Sequence, residues 1–389
     1  MAEHTRWLGG LVGLLVLAAQ VACAAPAAPP AGRASGAAPS APSASATDSP
    51  APASAPLQAV IDAARAEGEL RLVWSENSVG GGEGIRRLAA GLNKRYGLNL
   101  NVQWTPGPPF AELAAKLTQE YQAGRPATSD IFLGAEQTVA ALMAADALEA
   151  VDWQAWAPNV QDPRLIAPNG MAVEIDSRIP GITYNSDRVR GDDVPATLED
   201  VLKPEFKGRV ATTPYATTFD RLVSPELWGE QRTIDYVTRL AGQVGGLMRC
   251  GENDRLLSGE FDMLAVACGG YEAYRAKAQG QPLDHVIPAD AAIIGHMHMA
   301  VPRNAAHPNA AKLFVDYMLS REAQDTLYEL EFVDHHLLPG SKSAWVVEGP
   351  RAKGVQFTEI DVSFIERNNQ KEMSRLRTEL QRILAASAR

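Results

Sequence analysis

The amino-acid sequence predicts an α/β fold of two lobes, each a mostly parallel sheet flanked by helices, with a cleft between them. Two observations lead to this prediction. The chain has 389 residues, and the part after residue 57 is still longer than a typical single domain. Along that part, short β-rich runs alternate with amphipathic helical runs, which is the pattern of helices packed on mostly parallel sheets.

Residues 1–23 have the pattern of an export signal. The run before Cys23 is apolar apart from Gln20 and is shorter than the roughly 20 residues of a membrane-spanning helix. Small Ala22 before Cys23 is similar to a bacterial lipobox, which predicts a lipid on Cys23 and attachment to a membrane. Ordinary signal cleavage after Ala24 is the alternative. Either cleavage takes the protein out of the cytoplasm, to the periplasm or the cell surface.

Residues 24–57 are predicted to form a flexible tether. The segment is mostly Ala, Pro and Ser and has no aromatic residue, so it cannot bury enough surface to offset the entropy of ordering itself. After a lipid-modified cysteine, such a tether would let the folded body move over a membrane surface. A disordered leader with no role is the plainer interpretation.

The first part of lobe 1 is predicted at residues 58–180, where strand and helix alternate three times. Its predicted elements, in order, are strand 69–74, helix 82–96, strand 98–104, helix 110–124, strand 129–134 and helix 136–148.

Lobe 2 is predicted at residues 181–290. Its main elements are helix 198–206, strand 208–213, helix 233–243, strand 246–250, helix 253–260 and strand 261–268. The apolar run 286–302 then carries the chain back, so residues 291–389 complete lobe 1 with helix 309–320 and C-terminal helices. In the last helix Met373, Leu376, Leu380 and Ile383 form one apolar stripe, which predicts packing across a lobe.

Net charge and cysteine content indicate which partners and which cellular compartment are expected. The net charge is −10 and falls entirely after residue 57, which argues against nucleic acid as a partner.

Cys23 belongs to the signal, which leaves Cys250 and Cys268 as a predicted disulfide of an oxidising compartment. The two strands that end at these cysteines are joined by one helix, and such a crossover commonly leaves its strands adjacent or one apart. If they are adjacent, we expect the Cα atoms of the cysteines to be within bonding range. One intervening strand is expected to separate them too far.

Several ordered blocks resemble a known family. They are GITYNSDRV at 181–189, PATLEDVLKPEFKGRVATT at 195–213, SGEFDMLAVACGGYEAYRAKAQG at 258–280 and AVPRNAAHPNAAKLFVDYMLSREAQDTLYE at 300–329. These blocks are similar to the extracellular solute-binding proteins of ABC importers, in the branch that binds ferric iron, thiamine or phosphonates. The resemblance implies the type II periplasmic-binding-protein fold. It also implies a monomer that captures a small solute and presents it to an ABC permease and its ATPase.

Ligands of open α/β sheets bind at the carboxyl ends of strands, and this rule selects the candidate binding residues. They are Ser75, Glu76, Asn77 and Ser78 after the first strand, Gly134 and Glu136 after the third, Tyr184 at the crossing between lobes, Thr217 and Thr218 after the strand at 208–213, Arg249, and Gly270 with Tyr271. Glycine-rich turns at helix N-termini favour an anion, as does a guanidinium at Arg249. The plainer interpretations are a flexible loop, helix caps, core packing and an internal salt bridge.

Three further functions are weighed against this one. Ferric binders of the branch typically use two adjacent tyrosines, whereas Glu272 follows Tyr271 here and no histidine follows the first strand, so iron is the lesser expectation. An exported enzyme would use Cys268 as a nucleophile, which a disulfide would remove. A sensor of the same ligand would share the same fold and cleft.

The histidines predict no metal site and no cofactor is expected. His296 and His298 share one face of a strand, a spacing that can chelate, but the apolar strand around them favours core packing. His335 and His336 are expected on the surface, beside a turn rich in Leu and Pro.

Overall fold

The computed structural model describes residues 53–216 and 218–386. Cys23 and Thr217 lie outside the described residues. The strands are β1 Glu69–Trp74, β2 Asn101–Pro106, β3 Phe132–Ala135, β4 Val173–Arg178, β5 Gly181–Asn185, β6 Val210–Thr212, β7 Gly246–Leu247, β8 Met263–Ala267, β9 Leu283–Val286, β10 Ile293–Ala300 and β11 Thr358–Ile360.

The helices alternate with these strands along much of the chain. They are α1 Ala55–Glu67, α2 Gly81–Tyr96, α3 Phe110–Gln122, α4 Glu136–Ala144, α5 Phe219–Leu222, α6 Glu230–Gln243, α7 Asp254–Leu257, α8 Tyr271–Ala278, α9 Pro308–Met318, α10 Arg321–Glu331, α11 Trp345–Ala352, α12 Val362–Arg367 and α13 Gln370–Ala385. The three strand–helix repeats expected in the first lobe are confirmed.

Two larger sheets carry the two lobes of the fold. One has the order β11-β10-β3, with β4 also paired to β10, and the other has the order β7-β6-β8-β5-β9; β1 and β2 form a parallel pair beside them. The α/β class with flanking helices is confirmed. Pairing is mixed within it: β10 runs antiparallel to β3 and β4, and β5 runs antiparallel to β8 and β9. β5 and β10 each follow directly from a strand of the other sheet, without the helical crossover that parallel neighbours need.

The chain passes between the two larger sheets at two places. Ile179 and Pro180 separate β4 from β5, and residues 287–292 separate β9 from β10. The first crossing therefore lies before Tyr184, which is inside β5. Proline cannot donate a ladder hydrogen bond, which accounts for the end of β4 at this point.

Two helices differ from the sequence prediction. Helix α1 begins at Ala55, within the end of the predicted tether, because Ser54 caps it by accepting a hydrogen bond from Leu57 N and Leu57 and Ile61 are buried. The expected helix at 198–206 is instead two short 3-10 turns, since Pro204 interrupts the helical hydrogen bonds.

The C-terminal helix α13 packs as its apolar stripe predicts. Met373, Leu376 and Leu380 are buried, and the helix contacts α5, α6 and α4. It thus joins a helix that follows β3 to helices that follow β6. Across the described ranges, no helix is both long and apolar enough to cross a membrane.

Candidate functional site

A cleft of about 630 Å³ lies where the first turn of α2, β4 and the first turn of α8 meet. Its lining from the first lobe includes Ser75, Asn77, Ser78, Gly80, Gly81, Asp176, Arg178 and Glu331, and its lining from the second lobe includes Cys250, Gly251, Tyr271, Glu272 and Arg275. A volume of this size falls within the range of roughly 300 to 1,000 Å³ that small-molecule sites occupy.

Arg178 is held on one side of the cleft by two carboxylates. Its Nη2 atom lies 2.8 Å from Asp176 Oδ2 and 3.0 Å from Glu331 Oε2. The guanidinium carbon lies 5.0 Å from the centroid of the Tyr271 ring, a cation–π distance. Burial raises the pKa of Tyr271 to about 12, so its phenol stays protonated and can donate a hydrogen bond into the cleft.

The turn after β1 brings backbone N–H groups to the cleft wall. Gly80 and Gly81 have φ angles of 74° and 61°, which side chains rarely adopt, and they open the 16-residue helix α2. Gly80 N donates to Glu331 Oε1 at 2.9 Å. The positive end of a helix dipole therefore faces the cleft, and a carboxylate already binds there.

Arg275 presents the second guanidinium of the cleft. It lies one turn after Tyr271 on α8, and its polar contact is a 3.4 Å hydrogen bond from Nη1 to Leu330 O. Among the described residues, no carboxylate oxygen lies within salt-bridge distance of it. Beside it, burial raises the pKa of Glu272, whose carboxylate accepts from Gly251 N at 2.9 Å. Arg275 therefore retains donors for an anionic ligand.

The structure brings four of the predicted binding residues to the cleft: Ser75, Asn77, Ser78 and Tyr271. The Oγ atoms of Ser75 and Ser78 lie 2.7 Å apart. Gly270 immediately precedes Tyr271, and a Cβ atom there would lie 2.6 Å from the Tyr274 ring, so the turn requires glycine. Gly270 itself does not line the cleft, and its glycine is required by packing against Tyr274.

The other predicted residues do not line the cleft. Glu76 and Arg249 are exposed at the surface, and Arg249 N bonds to Glu252. Gly134 pairs with His298 inside a sheet, and Tyr184 is 8% exposed in the core. Thr218 is buried before α5 and its side chain makes no cap hydrogen bond.

Glu136 belongs to a buried ion network and not to the cleft. Its Oε2 atom accepts from Arg221 Nη2 at 2.9 Å, and its Oε1 atom accepts from His296 N at 2.7 Å. Arg221 Nη1 also lies 2.9 Å from Asp220 Oδ1, and Asp220 in turn binds Arg377 on α13. The network therefore connects α4, α5 and α13.

The sequence analysis missed Asp176, Arg178, Arg275 and Glu331. Arg275 carried a usable signal, because residues four apart on a helix share one face and Tyr271 was already a candidate. Arg178 directly precedes the crossing at Ile179, a position beside any cleft between lobes. Glu331 carried no local signal, since its role depends on the packing of α10 against the turn after β1.

A disulfide joins Cys250 and Cys268, whose Cα atoms lie 6.1 Å apart. Their strands are one apart, since β6 lies between β7 and β8, and the expectation that an intervening strand would keep the cysteines too far apart is wrong. β6 ends at Thr212, whereas the segment that leaves β7 continues beyond that end, where Met248 N donates to Thr212 O at 3.0 Å. Cys250 therefore lies past the end of β6 and can bond to Cys268. The disulfide places Cys250 in the cleft wall and removes the Cys268 thiol.

The expectation that His335 and His336 lie on the surface is wrong. His335 is fully buried and His336 is 9% exposed, because the turn after α10 folds against β4, where Ser177 Oγ lies 2.7 Å from His336 Nδ1. A carboxylate is also close by, since Glu174 Oε2 lies 3.2 Å from His335 Nε2.

Comparison with known proteins places these features in a family. The model of the family described as bacterial extracellular solute-binding protein matches residues 127–347. The Fe(3+)-binding periplasmic protein of Serratia marcescens is 30% identical over 129 residues, which are 33% of this chain and 37% of that protein. The chain spans about two fifths of the length of the curated relatives that it matches.

Solved structures show the same fold. The substrate-binding protein of an ABC transporter from Agrobacterium tumefaciens superposes with a TM-score of 0.64 at 17% identity, covering 82% of this chain and 96% of that one. Iron-bound HitA from Pseudomonas aeruginosa superposes with a TM-score of 0.63 at 16% identity, covering 80% and 99%.

Proposed function

Since the chain belongs to the family of bacterial extracellular solute-binding proteins of ABC importers, we propose that it captures one small anionic solute per chain and delivers it to an ABC permease and its ATPase. The observation that supports an anionic solute is Arg275, a cleft guanidinium without a carboxylate partner among the described residues. Arg178, by contrast, is neutralised by Asp176 and Glu331.

The remaining cleft groups indicate what else the solute carries. The Tyr271 hydroxyl and the serines after β1 suit carboxylate, phosphonate or hydroxyl oxygens. Glu272 and Glu331 are acceptors, which suit hydroxyl or amine groups on the same molecule. We therefore propose a compact polar solute with one anionic group facing Arg275 and hydrogen-bond donors facing the acidic side of the cleft.

Replacing Arg275 with glutamine is expected to lower solute retention about tenfold or more, the loss that one charge-assisted hydrogen bond of about 1.5–3 kcal/mol represents. Native mass spectrometry of the exported chain, purified without refolding, measures the fraction that carries a small-molecule adduct. Lys277→Gln on the same helix is the matched control, because Lys277 is exposed and pairs with Asp284 outside the cleft. Equal adduct fractions in R275Q and wild type would contradict the proposed role of Arg275.

Ferric iron is the second candidate, because one relative is an Fe(3+)-binding protein. The cleft suits it poorly. The Arg178 guanidinium lies against the Tyr271 ring and would repel a trivalent cation, and Tyr274 packs away from the cleft, with its ring 4.8 Å from Trp345. Fe(3+) also needs several free anionic oxygens, whereas Asp176 and Glu331 already bind Arg178.

We expect no visible phenolate-to-iron charge-transfer band when the chain is titrated with Fe(III) citrate, because burial favours the protonated Tyr271 phenol and the Arg178 guanidinium beside it would repel Fe(3+). Absorbance spectroscopy checks this directly. A stable coloured complex in wild type that disappears in Tyr271→Phe would establish iron as the ligand.

We also propose that the protein is attached to a membrane through a lipid on Cys23. The apolar run, the small residue before Cys23 and the Ala/Pro/Ser segment after it support a lipid anchor. Globomycin, which blocks lipoprotein signal cleavage, is expected to make the precursor accumulate in the native host. A mature chain that begins at Ala25 would show ordinary signal cleavage instead.

We also propose that residues 58–180 with 291–389 act as one lobe and residues 181–290 as the other. The support is the position of the two crossings, at Ile179–Pro180 and at 287–292, which fall at the limits of these ranges; α13 is the exception within 291–389, since it packs mainly on α5 and α6. Rotation about the crossings would close the cleft on a solute.

A further inference from the structure

Three histidines are gathered around one carboxylate next to the cleft, and a fourth histidine stacks against them. His296 and His298 lie on β10, His335 and His336 follow α10, and Glu174 lies on β4. Each of these side chains is less than one-tenth exposed. Polar groups cost free energy when they are buried without partners, so this cluster requires an explanation.

The ring nitrogens converge on Glu174. Its Oε2 atom lies 3.2 Å from His335 Nε2 and 3.5 Å from His296 Nδ1, and its Oε1 atom lies 3.6 Å from His298 Nε2. One potential ligand atom from each of Glu174, His296 and His335 lies within 4.8 Å of the others. Ligand atoms at the bond lengths of tetrahedral zinc lie about 3.4 Å apart, which matches the distances to Glu174, whereas the histidine nitrogens would draw together on metal binding.

His298 provides the second, independent observation. The residue is fully buried, and within the described part of the chain neither of its ring nitrogens has a hydrogen-bond partner. A neutral imidazole in this state forgoes both of its hydrogen bonds. A cation between His298 and Glu174 would give the ring the partner that it lacks.

The surroundings match those of a metal site. His296 Nδ1 lies 3.2 Å from Asp176 O and 3.5 Å from Glu174 Oε2, and its Nε2 atom lies 3.2 Å from Glu359 Oε2. In the metal-bound state Nδ1 would exchange the Asp176 carbonyl for the ion, and Nε2 would donate to Glu359. Metal-binding histidines usually have such an outer partner, which fixes the orientation of the ring.

We propose that Glu174, His296 and His335 bind one divalent transition-metal ion, with His298, whose Nε2 atom lies 3.6 Å from Glu174 Oε1, as the fourth side chain of the site. Zinc is the ion that imidazole nitrogens and a carboxylate oxygen suit. Burial of all four side chains makes the ion a structural component, distinct from the transported solute. The ion would join β4, β10 and the segment after α10. Two cleft carboxylates flank it in sequence, because Asp176 follows Glu174 by two residues and Glu331 precedes His335 by four.

The alternative is a metal-free network. Burial by itself lowers the pKa of His296, but the larger effect of Glu174 and Glu359 raises that pKa to about 9. A single imidazolium could therefore hold the two carboxylates together. That arrangement leaves His298 without a partner, and metal content distinguishes the two states.

The test measures metal in the exported chain, purified without a histidine tag from zinc-supplemented cells. Elemental analysis by mass spectrometry is expected to give one zinc per chain. His335→Asn and Glu174→Gln are expected to weaken zinc binding by more than about tenfold, the loss that even an outer-shell change can produce. His285→Gln is the control, because His285 is an equally buried histidine bonded to Thr183 Oγ1 in the other larger sheet.

If a variant fails to fold, zinc binding by the wild-type protein still tests the proposal. The chain is stripped with a chelator and then titrated with Zn²⁺ alone, and zinc is expected to raise its thermal midpoint. R275Q, altered only in the cleft, is expected to keep its zinc, which separates this site from solute binding. Wild-type chain that carries no metal as purified and takes up none on titration would overturn the proposal, as would equal zinc content in wild type, H335N and E174Q.

Discussion

Replacing Arg221 with methionine is expected to lower the free energy of unfolding by about 3–5 kcal/mol, the cost of removing one partner from a buried ion pair. Arg221 is 4% exposed and lies between the carboxylates of Glu136 and Asp220. Without it, Asp220 keeps Arg377, but Glu136 keeps only the backbone N–H of His296. Burial by itself raises the pKa of Asp220, but the larger effect of Arg221 and Arg377 leaves that pKa below its ordinary value. Asp220 is therefore ionised in the native protein, and these two cations offset the cost of burying its charge.

Urea unfolding followed by circular dichroism measures this effect. Arg375→Met in α13 is the matched control, because Arg375 binds Glu372 and Glu379 at the surface, where ion pairs contribute little. The double variant Glu136→Leu with R221M is expected to recover part of the loss, since it removes the unpaired carboxylate. An unfolding midpoint for R221M equal to that of R375M would contradict the account of the network.

Removing the disulfide is expected to cost about 3 kcal/mol, since the Cys250–Cys268 bond closes a loop of sequence separation 18 and the chain-entropy model gives this value for loops of that length. The variant is Cys250→Ser with Cys268→Ser, compared with wild type in the same urea experiment. We also expect weaker solute retention, because Gly251 follows Cys250 in the cleft wall and its N–H group holds Glu272.

Free-thiol titration tests the disulfide itself. The mature chain, unfolded without reductant, is expected to show no reactive thiol from Cys250 or Cys268, and two thiols after reduction. Two titratable thiols before reduction would exclude the bond, and an unchanged urea midpoint in the double serine variant would contradict the expected stabilisation.

The fold was predictable because its determinants are local. The alternation of strand and helix from Glu69 to Ala144 is set by apolar periodicity and by glycine-rich turns, both visible in the sequence. Helix α1 was missed because its first residues share the Ala and Pro composition of the tether. The strand order of the second sheet was not predictable, because the placement of β6 between β7 and β8 depends on pairing across distant segments.

The cleft was predictable only in part, for a related reason. The rule that ligands bind after strands found Ser75, Asn77, Ser78 and Tyr271. Glu136 also follows a strand, but its partners Arg221 and Arg377 come from distant segments and make it part of the interior. The histidine cluster was hidden in the same way, since β10 and the turn after α10 meet Glu174 only in the folded chain.

The proposed function requires the two lobes to close on one solute in the cleft between them. Small-angle X-ray scattering tests it most directly, on chain stripped of its solute by dialysis and on the same chain resaturated with the small molecule recovered from its native preparation. We expect a smaller radius of gyration in the saturated sample, because a bound solute would hold α8 against β4 and α10, as Tyr271 and Arg178 lie here, whereas the empty chain can rotate open at Ile179–Pro180 and at 287–292. Identical scattering profiles at full saturation would contradict it.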